Sequence, residues 1–243
     1  MRATKTILIL RARAAATPEL GREVARRTSG WLESEGAAAS EVVVHAAEAA
    51  PPRVSLVPFR REGLAMVSAR AEADAIGALR GHLAPLGGVE GYQVEESVPR
   101  ARTCSEPTGA IAPGPALVTL FRKHPRLDRD AFLREWHGLH TPLALAVHPL
   151  AGYVRNVVEG VLDEGSPAWD GIVVETFAAP EDVRSMVRFF GGPTGSALRA
   201  LPNAIRVGRH AAHFLDLRTI ENHLMTERVL RGATGAPRGR GLG

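Results

Sequence analysis

The sequence lacks the residues from which disulfide frameworks, zinc clusters and membrane spans are built. It has a single cysteine, Cys104, so no internal disulfide can form, and no Cys-x-x-Cys spacing offers a zinc or redox site. The longest apolar run near the start, Thr6 to Leu10, is far too short to cross a bilayer, and no signal-peptide cleavage site accompanies it. These absences predict a cytoplasmic protein with no membrane partner and no bound metal.

The charge of the chain has no pattern suited to nucleic acid. Thirty basic and 26 acidic residues leave a formal net charge of +4, and the basic residues are nearly all arginines spread along the chain. No basic stripe is interleaved with aromatic residues, so we expect no nucleic-acid partner. The densest basic stretch, residues 228–240, contains several glycines and little to bury, which predicts a frayed tail.

The composition is that of a folded soluble protein, and the chain divides near its middle. Hydrophobic residues make up 45% and charged residues 23% of the 243 residues. Residues 101–115 are rich in proline, glycine and threonine, which is typical of a linker. They separate an N-terminal half, 1–100, from a second half, 116–220, and we expect 221–243 to form a C-terminal helix or disordered tail.

Both halves show the same predicted order of elements, β-α-β-β-α-β. The first half has predicted strands at Lys5–Leu10, Glu41–His45, Leu64–Ala69 and Tyr92–Val98, with helices at Pro18–Glu35 and Ala71–Leu86. The second half has predicted strands at Ala116–Lys123, Tyr153–Val161, Gly171–Phe177 and Arg206–Leu217, with helices after the cap Asp128 and at Pro180. This order predicts an α+β fold of two tandem ferredoxin-like halves.

The first strand of each half is apolar on both faces, as Ile7-Leu8-Ile9-Leu10 and Leu117 to Phe121 show. An antiparallel sheet with one wet face alternates apolar and polar residues instead. We therefore expect helices to cover one face of each sheet and the sheet of the other half to cover the opposite face. The chain would then be an intrachain pseudo-dimer, although pairing of each half with another chain, as in a homodimer, stays open.

A segment of the second half resembles the signature of the EthD family. It comprises Phe121-Arg122-Lys123-His124-Pro125, followed by residues 130–143, where Phe132, Trp136 and His140 are spaced by four and Thr141-Pro142-Leu143 follows. The first half does not repeat it, because Val24 and Thr28 stand where Trp136 and His140 would be. The resemblance therefore predicts one site, in the second half.

This resemblance implies a dimeric α/β-barrel fold with a cleft between sheet and helices. Members and relatives of the family include proteins linked to ether degradation and cofactor-independent enzymes that cyclise, dehydrate or decarboxylate polyketide-like aromatics. Relatives with the same barrel also include haem-dependent enzymes and quinol oxygenases. A shared fold is a weaker guide to the reaction than to the architecture.

His140 is the residue that we expect to act as general acid or base. Pro142 disfavours helical geometry at Thr141, so the helix should break or kink there and leave His140 at a helix C-terminus. The negative end of the helix favours imidazolium while burial favours the neutral ring, which would keep the pKa of His140 near working pH. The alternative is a core histidine bonded to a backbone carbonyl. His137 is expected to be exposed.

The remaining candidates are assigned by side-chain chemistry and by predicted strand faces. Arg122 could hold an oxyanion, Tyr153 could donate to a carbonyl, and Glu175 is a candidate inward carboxylate. The predicted catalytic residues are His140, Arg122 and Tyr153, and the predicted substrate-binding residues are Phe132, Trp136, His124, Glu175, Phe177 and His213.

These observations favour a cofactor-independent lyase or cyclase that acts on a hydrophobic, aromatic or polyketide-derived small molecule. Two alternatives remain open: a haem- or oxygen-dependent oxidoreductase on the same fold, and a small-molecule-binding protein without catalysis.

Overall fold

Eight strands and their connecting helices follow one another in the same order in both halves. The computed structural model describes residues 4–13, 15–48, 58–102, 106–192 and 195–232. The first half contains β1 (Lys5–Ala12), α1 (Pro18–Glu33), β2 (Glu41–Ala46), β3 (Leu64–Arg70), α2 (Ala73–Leu83), a 3-10 turn (Ala84–Leu86) and β4 (Gly87–Arg100). The second half contains β5 (Ala116–Phe121), α3 (Arg129–Leu133), a π-helical segment (Arg134–His140), α4 (Thr141–Val147), β6 (Leu150–Val161), β7 (Gly171–Phe177), α5 (Glu181–Arg184), α6 (Met186–Phe190), α7 (Ala197–Phe214) and β8 (Glu221–Arg231).

The strands close into one antiparallel barrel with the order β1-β3-β2-β8-β5-β7-β6-β4. β2 pairs with β8 and β4 pairs with β6, so the sheets of the two halves join along both edges. Closure leaves no unpaired strand edge in the barrel. The structure is therefore an α+β fold built around a closed eight-stranded barrel. Within the described residues, no helix combines the length and the apolar character needed to span a membrane.

Three apolar clusters explain why the first strands are apolar on both faces. Ile7 and Ile9 point into the barrel, where they join residues from the sheets of both halves. Leu8 and Leu10 point outward and pack under the helices of the first half. Leu117 does the same under the helices of the second half. The outward faces of the strands are thus covered by helices, and their inward faces pack together inside the barrel.

Charged side chains occupy both ends of the barrel interior. At one end Lys5 pairs with Glu96, and at the other Arg11 lies 2.6 Å from Glu90 and 3.0 Å from Glu221. The apolar cluster of the interior lies between these two groups of ion pairs. Water that reaches the ends of the barrel therefore meets polar groups, and the middle stays apolar.

The final part of the chain differs from the prediction. Residues 206–217 were expected to form a strand, but α7 extends through Phe214, with Ala200 and Phe214 buried at helical spacing against the core. The last strand is β8, at residues that were expected to form a helix or tail. Arg228, expected in a frayed tail, is buried and paired with Glu48. Residues 233–243 and Cys104 lie outside the described residues.

We expect a truncation inside the barrel to destabilise the protein far more than one on its surface. Ile9 is fully buried, so Ile9→Ala should lower the free energy of unfolding by about 2–5 kcal/mol through lost burial and an unfilled cavity. Leu198, on the outer surface of α7, is 90% exposed, and Leu198→Ala should change this free energy by less than about 0.5 kcal/mol. Urea denaturation measures both. Equal losses would contradict the assignment of Ile9 to the core.

Candidate active site

A π-helical turn, at Arg134–His140, lies in the first helix of the second half. Pro142 has no amide hydrogen to offer the carbonyl of Gly138, as an α-helix would require. The backbone N–H of Thr141 instead donates to the carbonyl of Trp136, five residues earlier, and the Thr141 hydroxyl donates to the same oxygen at 2.9 Å. The helix then continues as α4. Of the two predicted outcomes at Thr141, the break does not occur, because the wider π-helical turn accommodates the proline and the helix continues.

His140 consequently lies within a helix and not at its C-terminal end. Its Nδ1 is 3.2 Å from Nδ1 of His210, and its ring packs 4.8 Å from that of Phe214. Burial, together with the neighbouring His210 and His148, lowers the pKa of His140 to about 3. The predicted balance near working pH is wrong, since no helix end favours the imidazolium. His140 is a neutral partner of His210, whose Nε2 lies 3.5 Å from Glu135.

Beside the π turn, β6 presents a buried phenol and a guanidinium on its helix-facing side. The Tyr153 hydroxyl interacts with the side chains of Trp136 and Thr141, and burial raises its pKa. Arg155 donates to the Thr141 hydroxyl at 2.9 Å and to Ser97 on β4 at 3.0 Å. Among the described residues no carboxylate pairs with Arg155. A partly buried cation without a protein counter-ion is suited to an anionic group on a ligand.

His137 is close enough to Arg155 for the charge of the guanidinium to act on its ring. Its ring packs against Trp136 at 5.2 Å, and its buried Nε2 has no hydrogen-bond partner in the described part of the chain. Burial, and then the charge of Arg155, lowers the pKa of His137 to about 4. The ring is therefore neutral at ordinary pH, with a nitrogen free to accept a proton. The sequence interpretation placed His137 on the exposed side because it assumed α-helical spacing.

Glu175 is a buried carboxyl on the neighbouring strand. It pairs in register with Leu117 on β5 and with Tyr153 on β6, and it is only 8% exposed. Burial raises the pKa of Glu175 to about 8. No ion pair to Glu175 occurs among the described residues. The side chain is thus a neutral carboxylic acid at pH 7, which can donate a proton.

Three of the predicted site residues lie elsewhere. Arg122 is exposed and stacks over Trp169 at 5.6 Å, because it points to the opposite side of the strand from Phe121. His124 lies in a surface turn, where its Nδ1 accepts the amide of Arg126 at 3.2 Å. His213 is exposed on α7, and its ring is 3.7 Å from Glu135. The predictions that Arg122 and His124 reach the cleft and that His213 points inward from a strand are therefore wrong.

The predicted aromatic residues form a closed core. Phe132, Trp136 and Phe177 are each at most 1% exposed. Phe121 packs edge-on against Trp136 at 4.9 Å, and Phe132 stacks on Phe214 at 6.1 Å. These rings pack between the sheet and the helices on the side of β6 that carries Tyr153 and Arg155.

This packing also bears on haem. A porphyrin needs a flat slot beside an axial histidine, whereas the ring of Phe214 lies against His140 and Nδ1 of His210 lies against its Nδ1. Within the described residues no group of three histidine, cysteine or acidic side chains is arranged to hold a metal ion. The residues around His140 therefore do not fit haem.

We expect the buried Glu175 to make stability depend on pH. The carboxyl holds its proton to about pH 8 when folded but releases it near its ordinary pKa of 4.5 when unfolded. Its contribution to the free energy of unfolding therefore decreases as pH rises from about 4.5 to 8. Glu175→Gln has no ionisable group at this position, so its free energy of unfolding does not decrease in this way. It should be more stable than the wild type at pH 8 by roughly 2–4 kcal/mol, with little difference at pH 5.

Chemical denaturation at the two pH values measures this effect. Glu181→Gln, at an exposed glutamate that begins α5, is the matched control and should follow the wild type at both. If Glu175→Gln has the same free energy of unfolding as the wild type at pH 8, the carboxyl is not buried in a neutral form.

The comparisons with known proteins agree with this architecture. Residues 124–218 match the EthD domain, which confirms the resemblance of the second half to that family. A candidate monooxygenase from Fusobacterium nucleatum shares 8% identity, with 98% of each chain covered and a TM-score of 0.52. An anthrone oxidase-like protein shares 11% identity over 98% of this chain and 97% of the other, with a TM-score of 0.55. At these identities the structures support the fold alone. No curated protein sequence matches the chain.

Proposed function

We propose that this protein, whose residues 124–218 match the EthD domain, is a cofactor-independent enzyme that transfers protons on a hydrophobic aromatic or polyketide-derived molecule. The reaction class that we favour is lyase or cyclase: dehydration, cyclisation or decarboxylation. One observation carries the proposal. Among the described residues Arg155 has no carboxylate partner, the buried Nε2 of His137 has no hydrogen-bond partner, and the charge of Arg155 acts on the His137 ring, so a base and an oxyanion partner occur near each other.

The first step uses His137 and Arg155. Nε2 of His137 takes a proton from a phenol, or from a carbon next to a carbonyl, and the electron pair moves to oxygen. The guanidinium of Arg155 stabilises the resulting phenolate or enolate through charge-assisted hydrogen bonds. The buried hydroxyl of Tyr153, whose raised pKa keeps it protonated, can donate its own proton to the same oxyanion. A positioned base contributes about 10²–10⁴ in rate and one oxyanion donor about 10²–10³.

The second step uses Glu175 as the acid. In its protonated form it donates to a departing hydroxyl, which leaves as water, or to the carbon from which carbon dioxide has left. One proton goes onto His137 and one leaves Glu175, so return of a proton through solvent restores both groups. His140, predicted from the sequence as the acid or base, is assigned a positioning role through its contact with His210.

Anthrone is a suitable probe, since it is hydrophobic and carries an acidic carbon–hydrogen bond next to an aromatic ketone. Under anaerobic conditions in D₂O the wild type should accelerate exchange of this hydrogen, measured by NMR. His137→Ala should reduce the acceleration by about 10²–10⁴, and Arg155→Met by about 10²–10³. His124→Ala, in the surface turn, is the control and should keep full activity. Unchanged exchange in His137→Ala would remove the proposed base.

The pH dependence of exchange provides a separate test. The exchange rate should increase through about pH 4 as His137 loses its proton, and decrease through about pH 8 because the ionised Glu175 carboxylate disfavours formation of a second anion in the same site. Glu175→Gln should abolish the decline near pH 8 and leave the rise near pH 4 in place. A profile of Glu175→Gln with the same upper limit as the wild type would exclude Glu175 as the titrating acid.

A second candidate function is oxygen-dependent oxidation. It is favoured by the names of the two similar structures, a candidate monooxygenase and an anthrone oxidase-like protein. The same deprotonation would begin it: the anthrone anion would reduce O₂ and, with the proton returned by His137, give anthraquinone and water. Oxygen uptake that depends on His137 would favour this oxidase, and exchange without uptake would favour the lyase. A Soret band in the purified protein would favour a haem enzyme. If the protein supports neither hydrogen exchange nor oxygen uptake, the remaining interpretation is a small-molecule-binding protein without catalysis.

We also infer that the two halves form a pseudo-dimer of ferredoxin-like units. Two observations support this inference. Both halves have the order β-α-β-β-α-β, and each sheet has its fourth strand beside the first, then the third and the second.

A further inference from the structure

The first half, which lacks the EthD motif, contains an open cleft of about 450 Å³ between α2 and the outer face of the barrel. Its floor is formed by Thr6 and Leu8 on β1 and by Gln93 on β4, and its roof by the face of α2 that carries Ile76 and Gly77. This volume lies in the range of small-molecule sites, about 300–1,000 Å³. The cleft lies in the layer between sheet and helices, as the candidate active site does in the second half.

The cleft exists because α2 is short and carries small side chains. An 11-residue helix covers this face, whereas three helices, α5 to α7, cover the corresponding face of the second half. The positions of α2 that line the cleft include Ala73 and Gly77. A Cβ atom added at Gly77 would meet nothing within 4 Å, so the space extends up to the helix backbone.

The lining indicates what the cleft would bind. Leu8, Ile76 and Leu162 provide apolar walls, while Thr6 and Gln93, which are paired in register, provide hydroxyl and amide groups.

The charged residues of the cleft are engaged or lie at its mouth. The guanidinium of Arg80 pairs with Asp163 and donates to the carbonyl of Val89 at 2.8 Å. Glu72 is exposed at the N-terminal end of α2. Since no unpaired cation faces the cleft from these elements, a neutral ligand suits it better than an anion.

We propose that this cleft is a second binding site, for a neutral small molecule with an aromatic or aliphatic body and hydroxyl or carbonyl groups. The apolar body lies against Leu8, Ile76 and Leu162, and its oxygen bonds to Thr6 or Gln93. The site is independent of His137 and Arg155, so it does not rest on the proposed reaction.

Filling the cleft from Gly77 tests the proposal. The probe is 2-naphthol, a neutral aromatic alcohol, and its binding is measured by calorimetry and by amide shifts of residues 73–80. Gly77→Leu should weaken binding at this site by at least about tenfold, because the new side chain occupies the cleft. Gly81→Leu is the matched control. It changes the same residue type on the same helix, where a Cβ also meets nothing within 4 Å, but outside the cleft lining.

Both variants should fold, since replacing an interior helical glycine removes a cost of about 1 kcal/mol relative to alanine. The proposal holds if Gly77→Leu alone loses binding and the associated amide shifts. It is overturned if Gly77→Leu binds as the wild type does, if Gly81→Leu loses binding equally, or if the wild type shows no binding at millimolar 2-naphthol.

A second pair of measurements separates this site from the proposed active site. Arg155→Met should lose anthrone exchange and keep the amide shifts of residues 73–80. Gly77→Leu should keep anthrone exchange and lose these amide shifts. Loss of these amide shifts in Arg155→Met would place the binding in the second half and would overturn the inference. Thr6→Val combined with Gln93→Leu should also weaken binding, and undiminished binding there would overturn the assigned polar contacts.

Discussion

Closure of the hydrogen-bonded barrel is the constraint on which the rest of the structure depends. The seam between β4 and β6 does more than join two sheets, because β6 also carries Tyr153 and Arg155. Arg155 lies opposite Ser97 of β4 in register and donates to its hydroxyl. The half without the motif therefore helps to position the guanidinium of the half that has it. The candidate site belongs to the closed barrel as a whole.

The π turn is the second determinant of the site. A helix that accommodates Pro142 by bonding five residues back changes which side chains face the sheet from that point on. It brings Thr141 within reach of Trp136 and Arg155, and it leaves His137 with a buried, unpaired nitrogen. π turns recur at functional sites for this reason, since a local irregularity presents groups that a regular helix would turn away.

Much of the architecture is predictable from local patterns, and the exceptions have physical causes. The strands at Glu41 and Gly171 and the cap at Asp128 follow from β-branched runs and capping chemistry, which act over a few residues. The strand predicted through His213 failed because a short alternation of apolar residues also fits the buried side of an amphipathic helix. β8 was missed because its charged residues are neutralised by distant partners, such as Glu48 for Arg228. Such pairing cannot be read from neighbouring positions.

The candidate site was less predictable than the fold, because its residues meet only through tertiary packing. Arg155 and Glu175 carry no local signal that distinguishes them from surface charges. The two strand pairs that join the halves, β2 with β8 and β4 with β6, have a further consequence when a fragment of the chain is expressed. A second half produced alone would present the open edges of β6 and β8, each a template for another strand. Such a fragment would aggregate or pair with its own copies.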